Sequence, residues 1–124
     1  MTIKHIETLI LNEPSKSGRI YTTEVVSDAL SKLKFPIYGA FGHVETLNVP
    51  LDRVGFSVTN AYIDNNFLCI DIEVLEKTPC GFILNELLTE NVELTYYPVM
   101  TGIVSADNHV NDLDIVMWTV DNVE

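Results

Sequence analysis

The sequence predicts a single α+β domain of about six strands and two helices, and three observations lead to this fold class. Hydrophobic residues make up 47% and charged residues 20% of the 124 residues, a balance typical of one folded core. Several stretches alternate apolar and polar residues as strands do, with turn-forming residues between them. Two other segments carry apolar residues at helical spacing, each after a threonine that suits a helix cap.

The N-terminal part of the chain predicts a strand followed by a helix. Thr2 to Leu11 is rich in β-branched and aliphatic residues, and Asn12 to Gly18 then supplies turn residues. The segment TTEVVSDALSKLK predicts an amphipathic helix that Thr22 or Thr23 caps and that ends before Pro36. Its apolar positions recur at helical spacing: Val25, Val26, Ala29, Leu30 and Leu33.

The stretch from Pro36 to Pro50 has few regular signals and predicts a long loop or a pair of weakly marked strands. It places His43 directly after Gly42, with Gly39 a little earlier. Glycines allow backbone conformations closed to other residues, so a tight turn is able to present the His43 ring beside a neighbouring strand. Both catalytic histidines and ordinary loop histidines occur in such glycine-flanked turns.

The middle of the chain predicts a β-hairpin and then a second helix. Arg53 to Ile63 and Phe67 to Leu75 alternate as strands do, and the asparagine-rich turn at residues 64–66 joins them. Thr78 and Pro79 form a typical helix start, and the helix closes near Thr89. Apolar and acidic residues surround this helix: Phe82, Ile83, Glu86 and Leu87.

The C-terminal part predicts three more strands. Val92 to Leu94 and Val99 to Ser105 form two of them, with Thr95 to Pro98 between them and a turn at residues 106–109. Leu113 to Val120 is apolar on both faces, which predicts a central strand.

The charge of the chain limits its partners. Its formal net charge is −11, from 18 acidic and 7 basic residues, which argues against binding to nucleic acid or anionic membranes. Proteins are therefore the expected partners. No apolar run is long enough to span a bilayer, and the N-terminal residues lack a signal-peptide pattern. Cys69 and Cys80 lack metal-ligand spacing and predict two free thiols in a reducing compartment.

The order of these segments resembles the prohead proteases of tailed phages. The motifs follow one another as SGRIYTTEVVSDAL, GAFGHVE, PLDRVGFSV, EKTPCGFILNELL, VELTYYPVMTGIV and LDIVMWTVDNV. The resemblance covers nearly the whole chain and implies one domain over residues 1–124 with the assemblin-like fold, a mostly antiparallel, barrel-like sheet with helices. It also implies phage capsid or scaffold proteins as partners, no cofactor, a homodimer, and a location in the host cytoplasm, the prohead or the virion.

The resemblance assigns roles to individual residues. His43 matches the family's catalytic histidine, which takes the proton from a serine hydroxyl while an acid orients its ring. Relatives carry the serine on the strand after the second helix, where this chain has Thr95-Tyr96-Tyr97-Pro98. Thr95 falls at the nucleophile's position, and Asp114 or the nearby Asp112 is the candidate orienter.

Three functional hypotheses follow. In the first, the protein is an inactive head-assembly protein that binds partners through Tyr96, Tyr97 and Pro98. Two departures from the family indicate this: the serine is missing, and Tyr96-Tyr97-Pro98 replaces the small and basic residues of an oxyanion site. In the second, it is an active minimal protease that uses His43, Thr95 and Asp114. In the third, it is an acidic inhibitor of a host protein.

Simpler interpretations of the same residues stay open. His43 is alternatively a loop histidine that bonds Glu45, and Thr95 an ordinary strand residue. A metal site formed by the three histidines and Glu45 is a further alternative that no spacing requires.

Overall fold

The computed structural model describes residues 1–42 and 47–121, which form six strands and two helices. In chain order these are β1 (Thr2–Ile10), α1 (Thr23–Ser31), β2 (Ile37–Phe41), a 3-10 turn (Leu51–Arg53), β3 (Val54–Asp64), β4 (Phe67–Val74), α2 (Pro79–Thr89), β5 (Thr95–Val104) and β6 (Val110–Asp121). The predicted α+β class is confirmed. Neither helix is long and apolar enough to cross a membrane.

All six strands belong to one mixed sheet, in the spatial order β1-β4-β3-β2-β6-β5. Four neighbouring pairs are antiparallel, and the pair of β2 with β6 is parallel. The sheet curls so that its two edge strands, β1 and β5, line the same cleft. The architecture is therefore a half-barrel with an open side between β1 and β5.

The local signals for both helices and for the hairpin are confirmed. The Thr22 hydroxyl accepts a hydrogen bond from the Val25 N–H at the start of α1, and the Thr78 hydroxyl accepts one from the Gly81 N–H at the start of α2. Asn65 and Asn66 both have positive φ between β3 and β4, which asparagine tolerates. Side-chain chemistry within a few residues thus sets these turns and helix starts.

Three strand predictions are wrong in their bounds. The last strand runs from Val110 to Asp121 instead of from Leu113 to Val120. Residues 37–41, placed in a loop or weakly marked strand pair, form β2 beside β3 and β6. Residues 92–94 lie outside any strand, whereas β5 runs without interruption through Pro98. Proline has no N–H to donate, but β5 is an edge strand and needs ladder partners on one side only.

The C-terminal half of β6 is buried on both faces, as predicted. Trp118 and Val120 belong to the main core together with Phe56. Met117 points to the opposite face, because successive strand residues alternate, and packs with Ala40 in a second cluster. A shift of β6 by one residue would move Trp118 to the other face, so its register is strongly specified.

Trp118 also links two strands that are not neighbours in the sheet. Its side chain is fully buried, and its indole N–H donates to the Thr8 hydroxyl of β1 over 3.3 Å. The Thr8 hydroxyl in turn donates to the Leu68 carbonyl of β4 over 2.9 Å. Trp118 therefore holds the edge strand β1 against β6 across the inside of the curl.

We predict that Trp118→Phe lowers the free energy of unfolding by about 2 kcal/mol, because it removes a buried hydrogen bond and leaves a cavity. Urea unfolding followed by circular dichroism measures the change. Tyr38→Phe is the matched control, since Tyr38 is 52% exposed and its change should stay within about 0.5 kcal/mol. Equal stability of the two variants would contradict the role of Trp118.

Candidate functional site

Three strand ends meet at one end of the half-barrel. The parallel register pairs Phe41 at the end of β2 with Val120 at the end of β6. The antiparallel register pairs Tyr96 with the same Val120, and Thr95 with Asp121. The end of β2, the end of β6 and the start of β5 therefore lie side by side.

Gly42 fixes the path of the chain as it leaves β2. Its N–H donates to the Val120 carbonyl over 2.7 Å, and its φ of +86° is a conformation that favours glycine. His43 follows directly in the sequence, but His43 and Glu45 lie outside the described residues. The assigned role of His43 stays a prediction.

Thr95 is half-buried at the first position of β5, opposite Asp121 on β6. Residues paired directly across two strands have Cβ atoms about 5 Å apart, so the side chains of Thr95 and Asp121 are neighbours on one face of the sheet. Sequence reasoning missed Asp121, because its predicted last strand ended at Val120. The signal that finds it is the antiparallel pairing of consecutive strands, which sets the end of β6 against the start of β5.

The structure does not bring Asp114 to this end of the sheet. Asp114 pairs with Thr101, and the stretch from Thr95 to Thr101 measures about 20 Å at the rise of a strand. Its carboxylate accepts from the Lys32 ammonium over 2.6 Å, and Lys32 also donates to the Leu113 carbonyl over 3.0 Å. The hydrogen bond to Asp114 raises the pKa of Lys32. The ion pair of Asp114 with Lys32, the C-cap residue of α1, thus holds the end of this helix against β6.

Tyr96 lies in the core rather than on a surface. It is 5% exposed, and its ring packs edge-to-face on Phe56 with the ring centroids 5.7 Å apart. Burial raises the pKa of Tyr96 to about 12, so its hydroxyl stays protonated at neutral pH. Within the described residues this hydroxyl has no hydrogen-bond partner. Tyr96 is therefore unsuited to contact a partner protein directly.

Tyr97 and Pro98 do line an open cleft, together with Thr95. The cleft has a volume of about 470 Å³ and lies between the edge strands, with Leu9 and Ile10 on the β1 side. Volumes of this order hold small ligands or a few side chains of a bound chain. Two of the three residues predicted to bind a partner are thus half-buried along one cleft, beside the candidate nucleophile position.

A serine, an aspartate and a histidine also meet in the turn between β5 and β6. The Ser105 hydroxyl donates to the Asp107 carboxylate, and His109 Nδ1 lies 3.1 Å from the other oxygen of that carboxylate. The hydrogen bond from Ser105 lowers the pKa of Asp107. A nucleophilic serine needs the histidine as its direct partner, whereas Ser105 bonds the acid. The set therefore stabilises the turn.

His5 has partners of its own on the opposite edge of the sheet. Its Nε2 lies 3.3 Å from the Asp64 carboxylate, and its Nδ1 lies 3.2 Å from the Tyr62 hydroxyl. Across residues 1–42 and 47–121, no three histidine, cysteine or acidic side chains form a group able to hold a metal ion. The metal-site alternative also required His43 and Glu45, which the structure does not describe.

Comparison with known proteins shows a similarity of fold to a solved structure, at low sequence identity. No protein-family model and no curated protein matches the sequence. Among solved structures, the chain is similar to the bacteriophage T4 capsid assembly protease, gp21, with a TM-score of 0.73 and 11% sequence identity. The match covers 97% of this chain and 90% of that one. The fold is thus like that of a phage capsid assembly protease.

Proposed function

We propose that this protein acts in phage head assembly by binding an extended segment of a capsid or scaffold protein in the cleft between β1 and β5, without cutting it. The observation that carries the proposal is that cleft of about 470 Å³, which lies along Thr95, Tyr97 and Pro98. The fold likeness to a capsid assembly protease supports the assignment to head assembly. The protein then works in the host cytoplasm, on the prohead or in the virion.

The cleft suits an extended chain because both of its walls are edge strands. An edge strand leaves one row of backbone N–H and C=O groups without a neighbour in the sheet, and a bound peptide is able to add a strand there. Pro98 removes one donor from β5, so the β1 wall, which includes Leu9 and Ile10, offers the fuller row. Tyr97 supplies an aromatic contact from the other wall.

The start of β5 is poorly equipped to cut such a chain. Thr95 is β-branched, and its methyl group crowds the approach of the hydroxyl to a carbonyl. Preorganised N–H donors after a nucleophile stabilise the developing oxyanion, and losing one typically costs about 10²–10³ in rate. Among the residues that follow Thr95 on β5, Pro98 has no N–H to donate. Binding without cleavage is the function that these residues favour.

We predict that Tyr97→Ala weakens binding to the scaffold or major capsid protein of the same phage about tenfold, the effect of losing an aromatic contact worth about 1.4 kcal/mol. Titration with purified partner protein, followed by co-sedimentation, measures the change. Tyr38→Ala is the matched control, because Tyr38 is an exposed tyrosine of β2 outside the cleft. If both variants bind like the wild type, the cleft is not the binding site.

An active protease is the second candidate, and one observation favours it. Asp121 lies opposite Thr95, and Gly42, the residue before His43, bonds Val120 next to Asp121. Of the three groups that such a protease needs, the nucleophile would come from β5 and the orienting acid from β6, and the predicted base, His43, follows Gly42 in the sequence. In this arrangement Asp121 takes the role first predicted for Asp114.

The protease hypothesis predicts that the wild type cuts purified scaffold or capsid protein and that His43→Ala, Thr95→Ala and Asp121→Asn each abolish the cut. Asp114→Asn is the matched control, since it removes the ion pair with Lys32 far from Thr95 and should leave cleavage unchanged. Electrophoresis and mass spectrometry of the products report the outcome. Intact substrate with the wild type supports binding without cleavage.

A further inference from the structure

The outward side of α2 exposes large apolar side chains. Phe82 is 59% exposed and Ile83 is 48% exposed, while Leu51 on the adjacent 3-10 turn is 88% exposed. The turn contacts α2, and the Cys80 thiol lies 3.6 Å from the Asp52 carbonyl, to which it donates. We call Leu51, Phe82 and Ile83 the α2 patch. Apolar side chains grouped on a surface in this way are typical of interaction sites.

The core cannot take these side chains, because the packing of α2 fixes its orientation. Gly81 and Leu84 are buried on the side that faces the sheet, and Leu88 packs there against the core. A Cβ at position 81 would overlap the Leu75 carbonyl oxygen, so only glycine fits this contact. Turning the helix to bury Phe82 would break that contact and the Thr78 cap.

The charge around the α2 patch indicates what binds it. Glu86 and Glu90 are exposed, and they follow Phe82 at intervals of four residues, which places them on the same side of the helix. The helix itself contains neither lysine nor arginine, while Lys77 precedes it and Arg53 ends the adjacent 3-10 turn. A second copy of this chain would bring a second net charge of −11 to the patch, and that repulsion disfavours a homodimer there.

We infer that the α2 patch is a second docking surface, which binds a basic amphipathic helix of a different protein. An apolar stripe on that helix covers Leu51, Phe82 and Ile83, and lysines or arginines at its margins lie against Glu86 and Glu90. The surface is separate from the cleft, because α2 packs on β3, β2 and β4, whereas the cleft lies between β1 and β5. The inference therefore stands independently of the proposed function.

Fluorescence anisotropy with a labelled amphipathic helical peptide of leucine and lysine tests this inference. We expect the wild type to bind it, and the Phe82→Ser/Ile83→Ser variant to bind at least about tenfold more weakly. Glu86→Lys should weaken binding several-fold with the apolar residues intact. The matched control is Ile103→Ser/Val104→Ser, which removes another exposed apolar pair and should leave binding unchanged. Unfolding curves establish that each variant is folded.

Three outcomes would overturn the inference. If the Phe82→Ser/Ile83→Ser variant binds the peptide as tightly as the wild type, the peptide is held by the overall negative charge of the protein and not by the α2 patch. Equal binding of a leucine and glutamate peptide would show that charge does not select the partner. A wild-type dimer in analytical ultracentrifugation that this variant loses would identify a second copy as the occupant.

Discussion

The parallel pairing of β2 with β6 decides where the candidate site lies. Because the two strands run in the same direction, both end at the same end of the sheet, and the antiparallel β5 begins there. Neighbouring strands lie about 4.8 Å apart, so Gly42 and Tyr96 flank Val120 within about 10 Å of each other. The burial of β6 on both faces holds this register, since Trp118 and Met117 have separate clusters to fill.

The cleft depends on the curl of the same sheet. Trp118 reaches from β6 to Thr8 and keeps β1 near the other edge strand without pairing the two. An exposed edge strand is able to pair with strands of other molecules, and natural proteins commonly carry features that prevent this. Both edge strands of this sheet have such a feature. Pro98 interrupts the donors of β5, and β1 has irregular register with His5 at a φ of 60°. A bound chain must therefore fit these irregular walls, which favours a specific partner over general aggregation.

The sequence predicted those features that depend on residues close together in the chain. The cap at Thr78, the cap at Thr22 or Thr23 and the asparagine turn of the hairpin were predicted correctly, because neighbouring backbone groups satisfy them. The interior position of β6, between β2 and the edge strand β5, was also predictable, since a strand that is apolar on both faces needs cover on both sides.

Features that depend on distant partners were missed. The strand β2 is short, and its partners β3 and β6 come later in the chain. Asp121 was missed and Asp114 was chosen because only the register of β6 against β5 shows which of these acids lies beside Thr95. Asp121 pairs with Thr95, whereas Asp114 pairs with Thr101. Phe82 points outward because Gly81 lies directly against the Leu75 carbonyl and fixes which side of the helix faces the sheet. The spacing of apolar residues along the helix does not reveal this contact.

A fold shared with a capsid assembly protease is compatible with either cleavage or binding, because function depends on the residues of the site. Hydrogen exchange of the protein, alone and in complex with the proposed scaffold or capsid protein, tests the central claim most directly. If the partner lies in the cleft, exchange becomes slower in residues 7–10 of β1 and 95–100 of β5, the two walls of the cleft. Unchanged exchange in both walls of a formed complex would contradict it.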